Sequence, residues 1–100
     1  MEELLNKLDQ NLRELYRKAV DADSMLDELQ ASGHGKHQSI FRDGIFTVSS
    51  NRFMPYLSET AEQIALIRQT QHFDTAVLER IVRQLQQLHV TLLDFKSVSR

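Results

Sequence analysis

The chain has 100 residues, 41% apolar and 26% charged, with a net charge of −2, which fits one folded domain over residues 1–100 with a modest core. It contains no cysteine, which excludes a disulfide framework, a thiolate metal site and a thiol nucleophile. No uncharged run nears the ~20 apolar residues that span a bilayer, and the opening Met1-Glu2-Glu3 is not that of a signal peptide, so a cytoplasmic protein is expected.

Residues 2–31 predict one long amphipathic helix. Leu5, Leu8, Leu12, Leu15, Ala19, Ala22, Leu26 and Leu29 alternate steps of three and four, a heptad seam over four repeats. Leu4, Tyr16, Val20 and Met25 widen the apolar stripe, so two neighbours are expected against it. Glu2 and Glu3 suit the helix N-terminus, and Gly33 is placed to end the helix with positive φ. Ser32 to Ser39, SGHGKHQS, reads as a loop.

Ile40 to Thr70 is less regular. From Phe53 onward the apolar steps are helical. Before it, Gly44 and the tetrad Thr47-Val48-Ser49-Ser50 are poor helix formers. Two arrangements are open: one helix over 40–70 that bends near Pro55, or a short helix over 40–48 and a break, with the main helix starting near Met54 and Pro55 in its first turn. The kinked continuous helix is the favoured expectation. Residues 69–73 form a turn. Asp74 is placed to cap the last helix, with Phe73 and Leu78 as a hydrophobic staple. That helix runs from Thr75 to about Lys96, with an apolar stripe of Leu78, Ile81, Val82, Leu85, Leu88, Leu92 and Phe95. Its opposite face carries Arg80, Arg83, Gln84, Gln87 and Thr91. The expected fold is all-α, an antiparallel bundle of three long helices whose middle member is kinked or broken near Pro55.

Charge is unevenly placed. Residues 1–30 hold eight acids and four bases, whereas residues 31–100 hold six acids and eight bases. Solvated helix faces account for this. The sharper alternative is a weakly basic face for an acidic peptide or single-stranded nucleic acid. No enzyme is expected, because no convergent set of acid, base, nucleophile or metal ligand is legible. His34 and His37 share a loop without further ligands, and Gly-His-Gly-Lys lacks the phosphate-loop spacing. His72 lies in a turn and His89 beside an apolar stripe. Glu59 and Glu62 lack the histidine that completes a carboxylate-bridged metal site. Neither a metal nor a cofactor is predicted. Arg52 lies one turn from Tyr56, and Tyr16 stands on the first helix; arginine interleaved with aromatics is what single-strand binders use.

One stretch carries a family pattern. Phe41-Arg42-Asp43-Gly44-Ile45-Phe46 is followed by Phe53 and then by Leu57-Ser58-Glu59. It resembles the helix typical of the bacterial primosomal replication protein N″ family, PriC: Phe, two polar or charged residues, a variable residue, Leu-Phe, a Leu seven residues on, and then Leu-x-Glu. The leucine- and glutamine-rich run VLERIVRQLQQLHVTLLDF is similar in kind to the next helix of that family. Arg42 departs from the acidic residue usual there, and Gly44 and Pro55 are unexpected inside that helix. The resemblance covers the N-terminal half of the family, whose strongly basic second half is not within these residues. It implies a non-catalytic adaptor in DNA replication restart that contacts the replicative helicase or single-stranded-DNA-binding protein at stalled forks, with weak binding to single-stranded or forked DNA. Arg42, Arg52, Arg80 and Arg83 are the expected polar contacts, and Tyr56 the aromatic anchor. The alternative is a dimerisation or scaffolding module, a homodimer through the Leu5–Leu29 seam, with no nucleic-acid role.

Overall fold

The computed structural model describes residues 1–33, 39–41, 44–72 and 74–98, with side chains through residue 95. The chain is all-α, with helices α1 (Glu2–Ala31), α2 (Met54–Thr70) and α3 (Thr75–Val98), each packed against the other two. Among the described residues there is no strand.

The molecule is 46 Å long, the length expected of α1 at about 1.5 Å per residue. The Leu5 amide donates to the Met1 carbonyl at 3.0 Å, opening the helix. At the far end Ser32 N–H donates to Glu28 O and Gly33 N–H to Gln30 O, both at 3.1 Å. Gly33 has φ +82°, the left-handed conformation its position predicts. The heptad seam faces inward: Leu5, Leu8, Leu15, Ala19 and Ala22 are buried, Leu12 and Leu26 half-buried, and Leu29 exposed. The seam is thus the inner wall of the chain's own core. A homodimer through Leu5–Leu29 would have to displace α2 and α3, so the seam is not a free self-association surface.

The middle segment corrects the favoured expectation. No continuous helix runs over 40–70, and the described residues between 39 and 53 are not helical; α2 begins at Met54. Pro55 therefore sits in the first turn, where its missing N–H costs nothing, rather than at a bend. Tertiary hydrogen bonds overrule the local helical spacing. Ile40 N–H donates to Ser50 O at 2.9 Å, closing the segment on itself. The Ser39 and Ser49 hydroxyls meet beside that bond, and Gly44 takes φ +79°.

A helix start leaves several amides without intrahelical partners, and the start of α2 accounts for each. Phe53 and Met54 N–H groups donate to the two carboxylate oxygens of Asp23, at 2.6 and 3.0 Å. Pro55 has no N–H. Tyr56 and Leu57 N–H groups both donate to Phe53 O, at 3.0 and 3.2 Å. The cap of α2 is thus supplied by α1, thirty residues away. At the other end of α2, Arg68 pairs with Glu2 at 2.9 Å and with Asp9. The start of α2 lies by the end of α1 and its end by the start of α1.

On α3 the Asp74 carboxylate accepts the Val77 N–H at 2.8 Å, the expected cap. The staple partner Phe73 lies outside the described residues. Ile81, Leu85, Leu88 and Leu92 are buried, whereas Val82 is exposed. Gln84 contradicts its expected place on the outer face, since it is fully buried. The core joins these helices to an aromatic cluster. Phe41 lies 4.8 Å from both Phe46 and Tyr56, and Phe46 lies 4.9 Å from Tyr56, between ring centroids. Phe53 continues the cluster to Phe95 at 5.8 Å in an edge arrangement.

Candidate functional site

The segment before α2 is held by one carboxylate and one amide. Glu59 accepts hydrogen bonds from Thr47 N–H at 2.8 and 3.0 Å, Thr47 hydroxyl at 2.9 Å, Val48 N–H at 2.9 Å and Gln84 Nε2 at 3.0 Å. Burial of this carboxylate works to raise its pKa, but the bonds from Val48, Thr47 and Gln84 together outweigh it and hold the pKa below its ordinary value. Gln84 uses all of its bonding capacity. Its carbonyl accepts from the Thr60 hydroxyl and from Gln63 Nε2, both at 2.7 Å, and its amide donates to Ile45 O at 2.9 Å and to Glu59. A buried side-chain amide with every bond made is stable in a core that would otherwise reject it.

Two of the five expected contact residues are structural. Tyr56 is fully buried; its hydroxyl donates to Ser50 O and accepts from Ser50 N–H, each at 2.8 Å. It anchors the segment to the core and, being fully buried, presents no surface for the partner contact expected of it as an aromatic anchor. Arg52 is held by Asp27, with Nε to carboxylate at 2.8 Å, by Gln30 and by Asn51 O. Its guanidinium fastens the start of α2 to α1. Arg42 lies outside the described residues, as do His34 and His37.

Arg80 and Arg83 differ. Both are exposed, and neither makes an ion pair or hydrogen bond among the described residues. They line two adjoining clefts between α3 and Gly44-Ile45, one shared with Ala76 and Glu79 and the other with Gln86 and Gln87. Val82, Val90 and Leu93 are also exposed on α3, Val90 on the side of Arg83 and Val82 and Leu93 on the other flank. The exposed side of α3 thus carries guanidinium groups without an ion pair among the described residues on one flank and apolar side chains on the other.

His89 Nε2 lies 3.1 Å from the Asn11 amide oxygen, tying α3 to α1. Burial lowers its pKa below the ordinary value, Lys18 adds to this, and Glu14 partly opposes it. Among the described residues no three His, Asp or Glu side chains stand together as metal ligands, and no helix is long and apolar enough to cross a membrane.

Sequence reasoning missed a second surface. Tyr16 is 54% exposed and borders a groove between α1 and α2 lined by Leu12, Arg13, Met54, Leu57, Ser58 and Ala61. The exposed side of the widened α1 stripe was the available signal. These features define the chain as an all-helical domain with two exposed mixed surfaces. Comparison with protein-family models, with curated proteins and with solved structures gives no match.

Proposed function

We propose that this chain is a non-catalytic adaptor, an antiparallel three-helix bundle that acts in the cytoplasm in DNA replication restart by contacting the replicative helicase or single-stranded-DNA-binding protein at stalled forks. The residue order of Phe41–Glu59, which is helical only from Met54 onward, resembles the PriC pattern and supports the biological setting as sequence alone. The observation that carries the binding role is the outer side of α3, where Arg80 and Arg83 make no ion pair among the described residues, exposed Val90 lies on the side of Arg83, and Val82 and Leu93 are exposed on the other flank. Protein interfaces favour this combination, because arginine and apolar groups are enriched where water is excluded. A net charge of −2 gives DNA a secondary, salt-labile part, since phosphate binding draws its affinity from surplus cations.

The test is binding of the whole chain to purified replicative helicase, to single-stranded-DNA-binding protein and to forked DNA at low salt. At least one of the two proteins should bind, and the double substitution R80E/R83E should weaken that complex by about tenfold or more. Absence of binding to all three ligands would remove the replication reading. Binding unchanged by R80E/R83E would remove this face from it.

A further inference from the structure

We propose that residues 44–48 are a movable wall of the Arg80 and Arg83 clefts, latched by Glu59 and Gln84, so that these clefts are complete only while the latch is closed. For its partner this rests on the function proposed above, whereas the wall and its latch rest on geometry alone.

The two sides of the clefts are built differently. One side is α3, where Arg80, Arg83 and Gln87 stand on successive turns of a regular helix. The other is Gly44 and Ile45, which belong to no helix. Among the described residues, no backbone–backbone hydrogen bond ties 44–48 to a helix. Side chains make the fastenings instead. Gln84 Nε2 donates to Ile45 O at 2.9 Å, and Glu59 receives the Thr47 N–H, the Thr47 hydroxyl and the Val48 N–H. The same Gln84 amide donates to Glu59 at 3.0 Å, which joins the two fastenings into one latch. Gln84 follows Arg83 directly in the chain, so α3 turns the arginine outward to the cleft and the glutamine inward to the wall.

Burial in the wall is slight. Phe46 is buried and Ile45 half-buried, whereas Gly44, Thr47 and Val48 are exposed. A segment with little burial and no backbone ladder opens at a lower free energy than the helices it rests on. Its two ends suit pivots. Gly44 has φ +79°, and a side chain there would meet nothing within 4 Å. At the other end the Tyr56 hydroxyl holds both the N–H and the C=O of Ser50, and beyond it Asp23 caps α2. The wall can therefore leave α3 while α2 keeps its cap and the three helices keep their mutual packing. Opening strips the clefts of one side and leaves Arg80 and Arg83 on a bare helix surface. A partner that touches both sides holds the wall shut, and the two events are linked. A wall that is mostly shut costs its partner little affinity when the latch weakens. The sensitive readout is therefore the opening of the wall itself.

The experiment follows amide hydrogen exchange of the whole chain. In the free protein Thr47 and Val48 should open together, with opening constants at least about tenfold larger than those of Leu85 and Leu88 in α3. Two variants weaken the wall independently. E59Q acts on the latch, and G44A strains the positive φ without touching the latch or the arginines. Each should raise the opening constants of Thr47 and Val48 about fivefold or more. Both should also shift the amide resonances of Arg83 and Gln87, which E62Q should leave in place. Whichever of the replicative helicase and single-stranded-DNA-binding protein binds should, at saturation, slow exchange of the 44–48 segment about tenfold or more. Opening constants equal to those of Leu88 make the segment part of the bundle and overturn the proposal. Arg83 and Gln87 resonances indifferent to both variants overturn it too, because the wall then does not border the clefts. The partner-free results decide the wall even if the wild type binds neither protein nor forked DNA, an outcome that removes the replication reading alone. A partner that binds without slowing the segment leaves that reading standing and removes the wall from it.

Discussion

Replacing Glu59 with glutamine changes one oxygen to an NH2 group and almost nothing in shape. The two carboxylate oxygens receive bonds from Thr47 N–H, the Thr47 hydroxyl, Val48 N–H and Gln84 Nε2. A glutamine can set its carbonyl toward Thr47 and Val48, but its NH2 then faces the Gln84 NH2, donor against donor. Gln84 cannot turn over to help, because its own carbonyl already holds Thr60 and Gln63. The reverse orientation is worse and opposes three donors. The loss of one buried bond to a charged acceptor, with a donor left unmatched, costs about 1–3 kcal/mol. At about 4–8 °C per kcal/mol for a domain of this size, E59Q should melt at least about 4 °C below wild type by circular dichroism. E62Q, at an exposed side chain with no hydrogen bond among the described residues, is the control. Hydrogen exchange should quicken at Thr47 and Val48 and remain unchanged near Asp74. Because the folded pKa of Glu59 is lowered, its contribution is complete above the unfolded value of about 4.3 and is lost as pH falls through the lower folded value. The gap between wild type and E59Q should therefore narrow in acid. A melting difference below about 2 °C at neutral pH, or a gap that widens in acid, would refute the role given to this carboxylate.

Three further outcomes rest on the same geometry. D23A strips the cap from α2 and should cost about 1–2 kcal/mol in urea unfolding, against less than about 1 kcal/mol for D27A, which loses only a surface ion pair with Arg52; equal effects would refute the cap. P55A should leave helix content unchanged and stability within about 0.5 kcal/mol, since position 55 requires no amide donor; a gain in helical circular dichroism would instead indicate a helix interrupted by proline. His89 has a lowered folded pKa, so its contribution is complete above the unfolded value of about 6.5 and is lost as pH falls through the folded value; H89Q should flatten the stability profile as pH falls below about 6.5, and an unaltered profile would show that His89 does not titrate with unfolding.

The outer helices were legible because their information is local. A heptad seam, an N-cap aspartate and a glycine at the helix end sufficed to place α1 and α3 close to their observed bounds. The middle was legible only in part: a start near Met54 with Pro55 in the first turn was one of the two arrangements left open, but the determinants that decide for it lie far away in sequence. Spacing from Phe53 onward signals a helix, but the refusal of residues 44–50 to join it depends on Glu59, Gln84 and Tyr56, which bind their backbone. Nothing near Met54 discloses that Asp23 caps it. Gln84 was assigned to the surface on polarity alone, and only the convergence of four partners makes its burial tolerable. Tyr56 and Arg52 were read as contacts for the same reason: aromatic and cationic side chains serve equally well to tie a segment down. Arg80 and Arg83 stand on the outer face that the period of α3 predicts.

The two clasps between α1 and α2 set a rule for how this chain can change length. Asp9 and Asp23 are fourteen residues apart on α1, and Met54 and Arg68, which they hold, are fourteen apart on α2. Fourteen residues span about 21 Å in either helix, so the fastenings match as equal rungs on two rails. A one-residue insertion between the rungs of either helix shifts one fastening by about 1.5 Å and swings it through roughly 100°, so that the clasps no longer close together. Insertions near a whole number of turns, made in both helices at once, keep the rails in step. Relatives of this chain should therefore vary in length in the segment before α2 or outside the clasps, and a tolerated single insertion between Asp9 and Asp23 should come with a compensating change between Met54 and Arg68.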